Sequence, residues 1–226
     1  MQFRLFETAV YTRRRSQLIK KMSSGLIILM GNEESSMNYK DNWYPFRQDS
    51  NFLYYFGINT GSLAAVIDAD SGEEIIFGNE LTIEDIVWTG PLPSLGEMAA
   101  AVGVSKTKPY NQIETIIRNA INSGRQIYFT PPYRPENKIK LAQWLQVAVD
   151  AVSEMASVLL IKAIISQRES KEECEVEEMH KASIISADMH LAAMRYAKAG
   201  MKEYEVMAKV KEAAYAQNAS LSFHPI

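Results

Sequence analysis

The chain has 226 residues, enough for one large domain or for one and a half ordinary ones, and its 47% hydrophobic content is sufficient to form a core. Its 27 acidic residues against 24 basic ones give a net charge of −3, so we expect no general attraction to nucleic acid or to an anionic membrane. The single cysteine, Cys174, excludes an internal disulfide and indicates the cytoplasm.

The first part of the sequence predicts a helix followed by short strands. Residues 7–22 place apolar side chains among Arg13, Arg14, Arg15, Lys20 and Lys21, which predicts a surface helix with a solvated basic face. Apolar runs of four or five residues then predict strands at 26–30, 52–56, 63–67 and 74–77. The turn sequence Asp70-Ser71-Gly72 predicts that the last two strands form a hairpin.

From residue 94 onward, helices alternate with a strand. Ser94 and Asn111 are candidate caps of two helices, residues 126–129 predict a strand, and residues 136–149 predict a helix built on Ile139, Leu141, Leu145 and Val149. This alternation predicts an α/β layer over about the first 150 residues, which is within the normal size of one domain.

A second unit is predicted after residue 155, built from two helices. The apolar run at 157–165 fits a strand or the end of a helix. Ser170 and Glu173 have the spacing of a capping box that opens a long helix ending near Gly200, and a further helix is expected at 203–218. The last residues, SLSFHPI at 220–226, predict a strand. Two helices and one strand cannot bury themselves, so we expect this chain to be a piece cut from a longer protein.

No complete catalytic or metal site can be assembled from the reactive residue types. Glu177-x-x-His180 is half of a di-iron motif whose other half is missing, and His180 and His190 are too far apart along one helix to share an ion. The glutamates around Cys174 disfavour a thiolate. Motifs of phosphate-binding loops and of hydrolase nucleophile elbows are absent from the sequence.

Two stretches combine aromatic and polar residues more densely than the rest. DNWYPFRQDSNFLYYFG at 41–57 indicates either a buried hydrogen-bond network or a surface that faces a partner. IVWTG at 86–90 places Trp88 before a turn, which is typical of an interface anchor or of a core residue.

These stretches resemble the N-terminal domain of Xaa-Pro aminopeptidases, in the motif YPFRQDSNFLYYFG with Asp41 upstream and in WTG after an acidic residue. The resemblance continues into the start of that family's catalytic domain. It is carried there by Arg168, Lys171, Glu172 and Glu173, by Ala182, Ile185, Ser186, Ala187, His190, Ala193 and Met194, by GMKEYE from Gly200, and by SLSFHPI. The motifs occur in the family's order and cover nearly the whole chain.

The resemblance implies an α/β fold in which residues 1–155 form a creatinase-type N-terminal domain, a mixed sheet flanked by helices. Residues 156–226 would be the first helices and first strand of a truncated pita-bread domain. The implied activity is that of a metallo-exopeptidase which removes the residue before proline from peptides with proline at the second position. Two divalent metal ions, manganese in most members, would do this chemistry in the parent protein. Their ligands lie beyond the strand on which this chain ends.

The resemblance therefore implies no catalytic residue and no metal ligand in this chain, and the chain alone is expected to be inactive. Trp88 matches a family tryptophan in a loop that borders a neighbouring subunit's active site, which implies a substrate-binding role and a homodimer or tetramer. Asp41, Arg47, Gln48, Asn51 and His190 are interpreted as structural, and His224 is given no role. Two alternatives stay open, a prolidase that cleaves Xaa-Pro dipeptides and a non-catalytic pita-bread binding module.

Overall fold

Five strands form one mixed sheet in the order β4-β3-β2-β1-β5 in the computed structural model, which describes residues 5–223. The strands are β1 Leu26–Met30, β2 Ala64–Asp68, β3 Glu74–Phe77, β4 Lys106–Lys108 and β5 Ile127–Tyr128. β2 is antiparallel to both β1 and β3, whereas β5 is parallel to β1 and β4 is parallel to β3. Met30 pairs with Ala64, which pairs with Phe77, so the carboxyl ends of β1, β3, β4 and β5 lie at one edge of the sheet. We call this the carboxyl edge.

Helices cover both faces of the sheet, because side chains alternate along each strand. The α-helices are α1 Thr8–Met22, α2 Ser50–Phe56, α3 Ile83–Thr89, α4 Leu95–Ala101, α5 Ile113–Asn122, α6 Pro135–Leu145, α7 Val158–Arg168, α8 Glu173–Tyr196 and α9 Glu203–Tyr215. Ile27 and Leu29 point into a core shared with α1, α2, α4 and α7, and Leu26 and Ile28 point into a core shared with α5 and α6. The predicted mixed sheet flanked by helices is confirmed, as is the hairpin of β2 and β3.

Two predictions in the first part of the chain are wrong. Residues 52–56 were predicted to be a strand but belong to α2, because the Asp49 carboxylate caps the backbone N–H groups of Asn51 and Phe52 and Gly57 ends the helix at a φ of +66°. The basic face of α1 is not fully solvated, because Arg14 and Arg15 are buried.

Other elements differ in extent or were not predicted. α6 ends at Leu145, and Ile139, predicted as a core residue, is exposed. α5 begins at Ile113 after a short 3-10 turn at Tyr110–Gln112. The short edge strand β4 and the exposed helix α3 were not predicted, because neither has the apolar periodicity of a buried element.

The chain divides into two compact units, Met1–Glu169 and Ser170–Ile226. The apolar run at 157–165 lies in α7, whose Leu160 and Ile164 join the core of the first unit. In the second unit, α8 has a capping box formed by Glu172 and Glu175 rather than by Ser170 and Glu173. Residues 220–223 do not form a strand, and the rest of the predicted strand, with His224, lies outside the described residues.

Candidate functional site

The carboxyl edge of the sheet gathers the irregular segments of the first unit. A small hairpin over residues 35–44 follows β1, residues 79–92 with α3 follow β3, Pro109 and Tyr110 follow β4, and residues 130–134 follow β5. Ligands of α/β proteins bind preferentially outside the carboxyl ends of strands, because loops from several strands converge there. A ligand-binding site is therefore expected at the carboxyl edge.

The hairpin at 35–44 has a fixed backbone. Ser36 and Trp43 form an antiparallel bridge, the Met37 N–H donates to the carbonyl of Asn42 at 2.7 Å, and the Tyr44 N–H donates to that of Ser35 at 2.8 Å. The Trp43 indole N–H donates to the Lys40 carbonyl at 2.6 Å, which holds the ring against its own turn. Met37, Tyr39, Trp43 and Tyr44 nevertheless remain exposed.

Residues after β5 anchor the base of this hairpin. The Arg134 guanidinium donates to the Glu33 carbonyl at 2.6 Å and to the Ser35 hydroxyl at 3.2 Å. The Lys140 ammonium forms an ion pair with the Glu33 carboxylate, and the Asn32 side-chain amide donates to the Tyr133 hydroxyl at 2.9 Å. The hairpin is therefore attached to a rigid part of the fold.

Part of the dense 41–57 stretch forms the buried network that the sequence predicts. The Gln48 side chain is buried, accepts from the N–H groups of Asn32 and Asp49, and donates to the Thr60 carbonyl at 2.8 Å. The Asn51 side-chain carbonyl accepts from Arg168 at 2.6 Å. The interpretation of Gln48 and Asn51 as structural residues agrees with these contacts.

Asp41 and Arg47, interpreted in the same way, have exposed side chains, and the contribution of Arg47 to the network is its backbone carbonyl, which accepts from the Asn32 amide at 2.8 Å. The stretch thus combines both alternatives that the sequence left open, because it is buried at Gln48 and exposed at the aromatic hairpin.

Trp88 lies on α3 with 84% of its surface exposed. The helix contains no buried residue, and Ile83 and Val87 are also largely exposed. A capping box fixes its start, because the Thr82 hydroxyl accepts from the Asp85 N–H and the Asp85 carboxylate accepts from Thr82. A helix that exposes its apolar residues contributes little to a core, so its apolar side chains are available to a binding partner.

Hydrogen bonds at the carboxyl edge connect the segments that lead into the hairpin and into α3. Lys140, paired with Glu33, also donates to the Tyr110 hydroxyl at 3.3 Å, and the Tyr110 N–H donates to the Asn79 side chain at 3.2 Å, just before the α3 segment. Hydrogen bonds from Thr82 lower the pKa of Asp85, and the positive charge of Lys40 in the hairpin lowers this pKa further.

Reactive side chains do not cluster in the described part of the chain. Among residues 5–223, no group of three or more His, Cys, Asp or Glu side chains has the geometry to hold a metal ion, so a paired-metal centre does not fit these residues. His180 and His190 are exposed on α8, where His190 Nδ1 lies 2.7 Å from the Ser186 carbonyl oxygen. Cys174 is partly buried, with its thiol directed to the Glu172 carboxylate.

Within the second unit, a groove of about 760 Å³ lies between α8, α9 and the segment that follows α9. Its lining is mostly apolar and includes Ile185, Met189, Ala193 and Val210. Over residues 5–223, every helix is too short or too polar to cross a bilayer.

Four residues that position the site are not predicted from the sequence, namely Asn32, Tyr133, Arg134 and Lys140. These four residues share a position in the fold and not a residue type. Each lies shortly after a strand or in the helix that follows a strand. The sequence Pro-Pro-Tyr-Arg at 131–134 directly follows the predicted strand at 126–129. Because that strand pairs in parallel with β1, the residues that follow it lie at the carboxyl edge.

Comparison with known proteins agrees with this architecture. Residues 11–128 match the family described as "Aminopeptidase P, N-terminal domain". The Xaa-Pro dipeptidase of Homo sapiens is 24% identical over 218 residues, which are 92% of this chain and 43% of the relative. A probable Xaa-Pro aminopeptidase of Metarhizium acridum is 26% identical over 221 residues, 96% of this chain and 42% of the relative. The chain thus spans less than half the length of these curated relatives.

Solved structures show the same fold. The aminopeptidase PepP of Pseudomonas aeruginosa superposes with a TM-score of 0.79 at 24% identity, covering 97% of this chain and 51% of the other. Aminopeptidase P of Escherichia coli gives a TM-score of 0.77 at 19% identity, covering 94% of this chain and 50% of the other. At these identities the likeness establishes the architecture.

Proposed function

Since the chain belongs to the aminopeptidase P N-terminal domain family, we propose that it is the N-terminal part of an Xaa-Pro aminopeptidase, an enzyme that releases the residue before proline from peptides. The observation that carries the proposal is the family match over residues 11–128, which includes the hairpin and α3. The names of the curated relatives, Xaa-Pro dipeptidase and probable Xaa-Pro aminopeptidase, support the substrate class.

The chemistry is assigned to the part of the relatives that this chain does not match. We propose that two divalent manganese ions are held there, that a metal supplies the activated water for peptide hydrolysis, and that residues 1–226 alone do not cleave peptides. The second unit would be the opening of that catalytic domain, whose remainder would cover the apolar groove between α8 and α9. The single cysteine supports a cytoplasmic location.

Trp88 is assigned to the substrate entrance of a neighbouring subunit in a homodimer or tetramer. Its support is its position at the carboxyl edge and its exposure on a helix whose start is fixed by a capping box. In the protein translated from the whole reading frame, Trp88→Ala is expected to raise KM several-fold and to leave kcat nearly unchanged, because the ring contacts substrate away from the reacting atoms. Ile139→Ala, which removes an exposed apolar residue of α6, is the matched control and should change neither constant.

The activity is tested by comparing residues 1–226 with the product of the whole reading frame. Both are incubated with an Xaa-Pro-Xaa tripeptide and an Xaa-Pro dipeptide, with manganese and with a chelator. Metal-dependent release from the tripeptide by the longer protein alone supports the proposal. Activity confined to the dipeptide identifies a prolidase, the second candidate, which the similarity to Xaa-Pro dipeptidase favours. Absence of cleavage by both proteins would identify a non-catalytic binding module.

A further inference from the structure

The first unit presents an exposed apolar surface at the carboxyl edge. It consists of Tyr39, Trp43 and Tyr44 on the hairpin together with Ile83, Val87 and Trp88 on α3, and we call it the aromatic surface. Two of the three tryptophans of the chain lie on it, whereas Trp144 is buried in the core. Several large exposed apolar residues at one edge of a sheet indicate an interaction site, because isolated apolar side chains are the norm on a monomer surface.

Hydrogen bonds close the hairpin part of the surface before anything binds. The hairpin backbone is closed by the bonds between Met37 and Asn42 and between Tyr44 and Ser35, and Arg134 anchors its base. The capping box of Thr82 and Asp85 fixes the start of α3. A preformed surface loses little conformational entropy on binding, so short segments are able to bind it with useful affinity.

The charges around the surface define the sign of its partner. The two segments at 35–47 and 79–92 contain four carboxylates and two cationic groups, and all six are exposed, namely Asp41, Glu80, Glu84, Asp85, Lys40 and Arg47. Two copies of such a surface placed face to face would bring like charges together, which disfavours a second copy of the chain as the occupant. A basic partner would be attracted to it.

The exposed aromatic side chains favour a partner with an extended backbone that contains proline. Proline-rich segments adopt the extended polyproline II conformation without help, and they bind aromatic surfaces because proline rings pack flat against aromatic rings. The combination of exposed aromatic rings with surplus carboxylates therefore fits an extended, basic, proline-containing peptide better than it fits a hydrophobic protein surface.

We propose that the aromatic surface binds the downstream part of the peptide substrate, an extended segment that contains further prolines and basic side chains. This inference rests on the proposed function for the identity of the peptide as a substrate, and it adds a substrate class to it. Tyr39, Trp43 and Tyr44 on the hairpin and Trp88 on α3 would contact this segment.

The test measures peptide binding by residues 1–226, so it does not require catalysis. The probe is a labelled peptide Ala-Pro-Arg-Pro-Pro-Arg-Pro-Pro, followed by fluorescence anisotropy. Two control peptides replace the prolines after the second residue by alanine or the arginines by glutamate. We expect the probe to bind at least about tenfold more tightly than either control peptide, and we expect its binding to weaken as salt is added.

Substitutions on the chain locate the binding site. Tyr39→Ala removes an exposed ring, and Glu84→Gln removes a charge without a change of size, so each should weaken binding several-fold while leaving the fold intact. Tyr204→Ala, at an exposed tyrosine of α9, and Glu154→Gln, at an exposed acidic residue after α6, are the matched controls and should bind as the unmodified chain does. Trp43→Ala is expected to weaken binding most.

Three results would overturn the inference. They are equal binding of the alanine peptide, equal effects of the surface and control substitutions, and self-association in light scattering that Tyr39→Ala abolishes, which would make a second copy the occupant. The two proposals fail separately. If the product of the whole reading frame cleaves Xaa-Pro peptides but residues 1–226 do not bind the probe, only this inference fails. If the probe binds but no cleavage occurs, the activity fails and the binding surface stands.

Discussion

At the scale of single residues, the buried side chain of Arg15 joins several elements of the first unit. Its guanidinium donates to the carbonyls of Tyr55 and Val102, each at 2.9 Å, and to the Glu74 carboxylate at 2.8 Å. Burial lowers the pKa of Arg15 and raises that of Glu74, and each charge partly offsets the shift of the other. Arg15 thereby connects α1 to β3 and to the ends of α2 and α4.

We predict that Arg15→Met lowers the free energy of unfolding by about 3–5 kcal/mol, because it leaves Glu74 without its partner and two buried carbonyls without donors. Urea unfolding followed by circular dichroism measures this change. Lys21→Met on the exposed side of the same helix is the control, with an expected change within about 0.5 kcal/mol. A loss below about 1 kcal/mol for Arg15→Met would show that water replaces the guanidinium.

The buried role of Arg15 could not be predicted from the sequence. The run Arg13-Arg14-Arg15 has the appearance of a solvated face, and the acceptors that bury Arg15 lie 40 to 87 residues away along the chain. The Gln48 network was partly predictable, because polar residues within an aromatic stretch need partners when they are buried. Its partner Asn32 was not, since it is adjacent only after β1 and β2 have paired.

At the scale of elements, the predictions succeeded where a run of apolar side chains identifies a buried strand. They failed where helix capping residues determine the secondary structure. The apolar runs of β1, β2 and β3 identify strands because both faces of the sheet are covered. The run FLYYF also has high strand propensity, yet the Asp49 cap and Gly57 make it a helix. The helix α3 escapes prediction because its apolar side chains face solvent.

The hairpin offers a prediction about local stability. Arg134→Ala removes the donors to the Glu33 carbonyl and the Ser35 hydroxyl. We expect hydrogen exchange of the Met37 and Tyr44 amides to become at least about tenfold faster, with the amides of β1 unchanged, because local opening then needs less free energy. Mass spectrometry of peptic fragments measures both regions. Lys138→Ala on α6, the helix that begins directly after Arg134, is the control, and equal exchange in both variants would contradict the anchoring role of Arg134.

At the scale of the whole molecule, burial is distributed very unevenly between the two units. Both core clusters consist of residues of the first unit, whereas α8 contains no buried residue and α9 buries only Ala214. Helices with so little burial rely on their own backbone hydrogen bonds and caps, which stabilise an isolated helix only marginally.

We therefore predict that residues 1–169 fold without the second unit. A chain ending at Glu169 should unfold thermally within about 3 °C of the first-unit transition of the whole chain, and limited proteolysis of the whole chain should cut first within residues 170–223. Differential scanning calorimetry gives the comparison. A fall of 10 °C or more on removal of the second unit would show that the first unit depends on it.

The two edges of the sheet also affect how the chain behaves at high concentration. β4 is three residues long and carries Lys106 and Lys108, and β5 is two residues long. Short edges and lysine side chains offer little unpaired backbone for another chain to extend the sheet. Ordered aggregation is thus disfavoured at the margins of the first unit, and a concentrated sample should stay free of fibrils even though the aromatic surface remains uncovered.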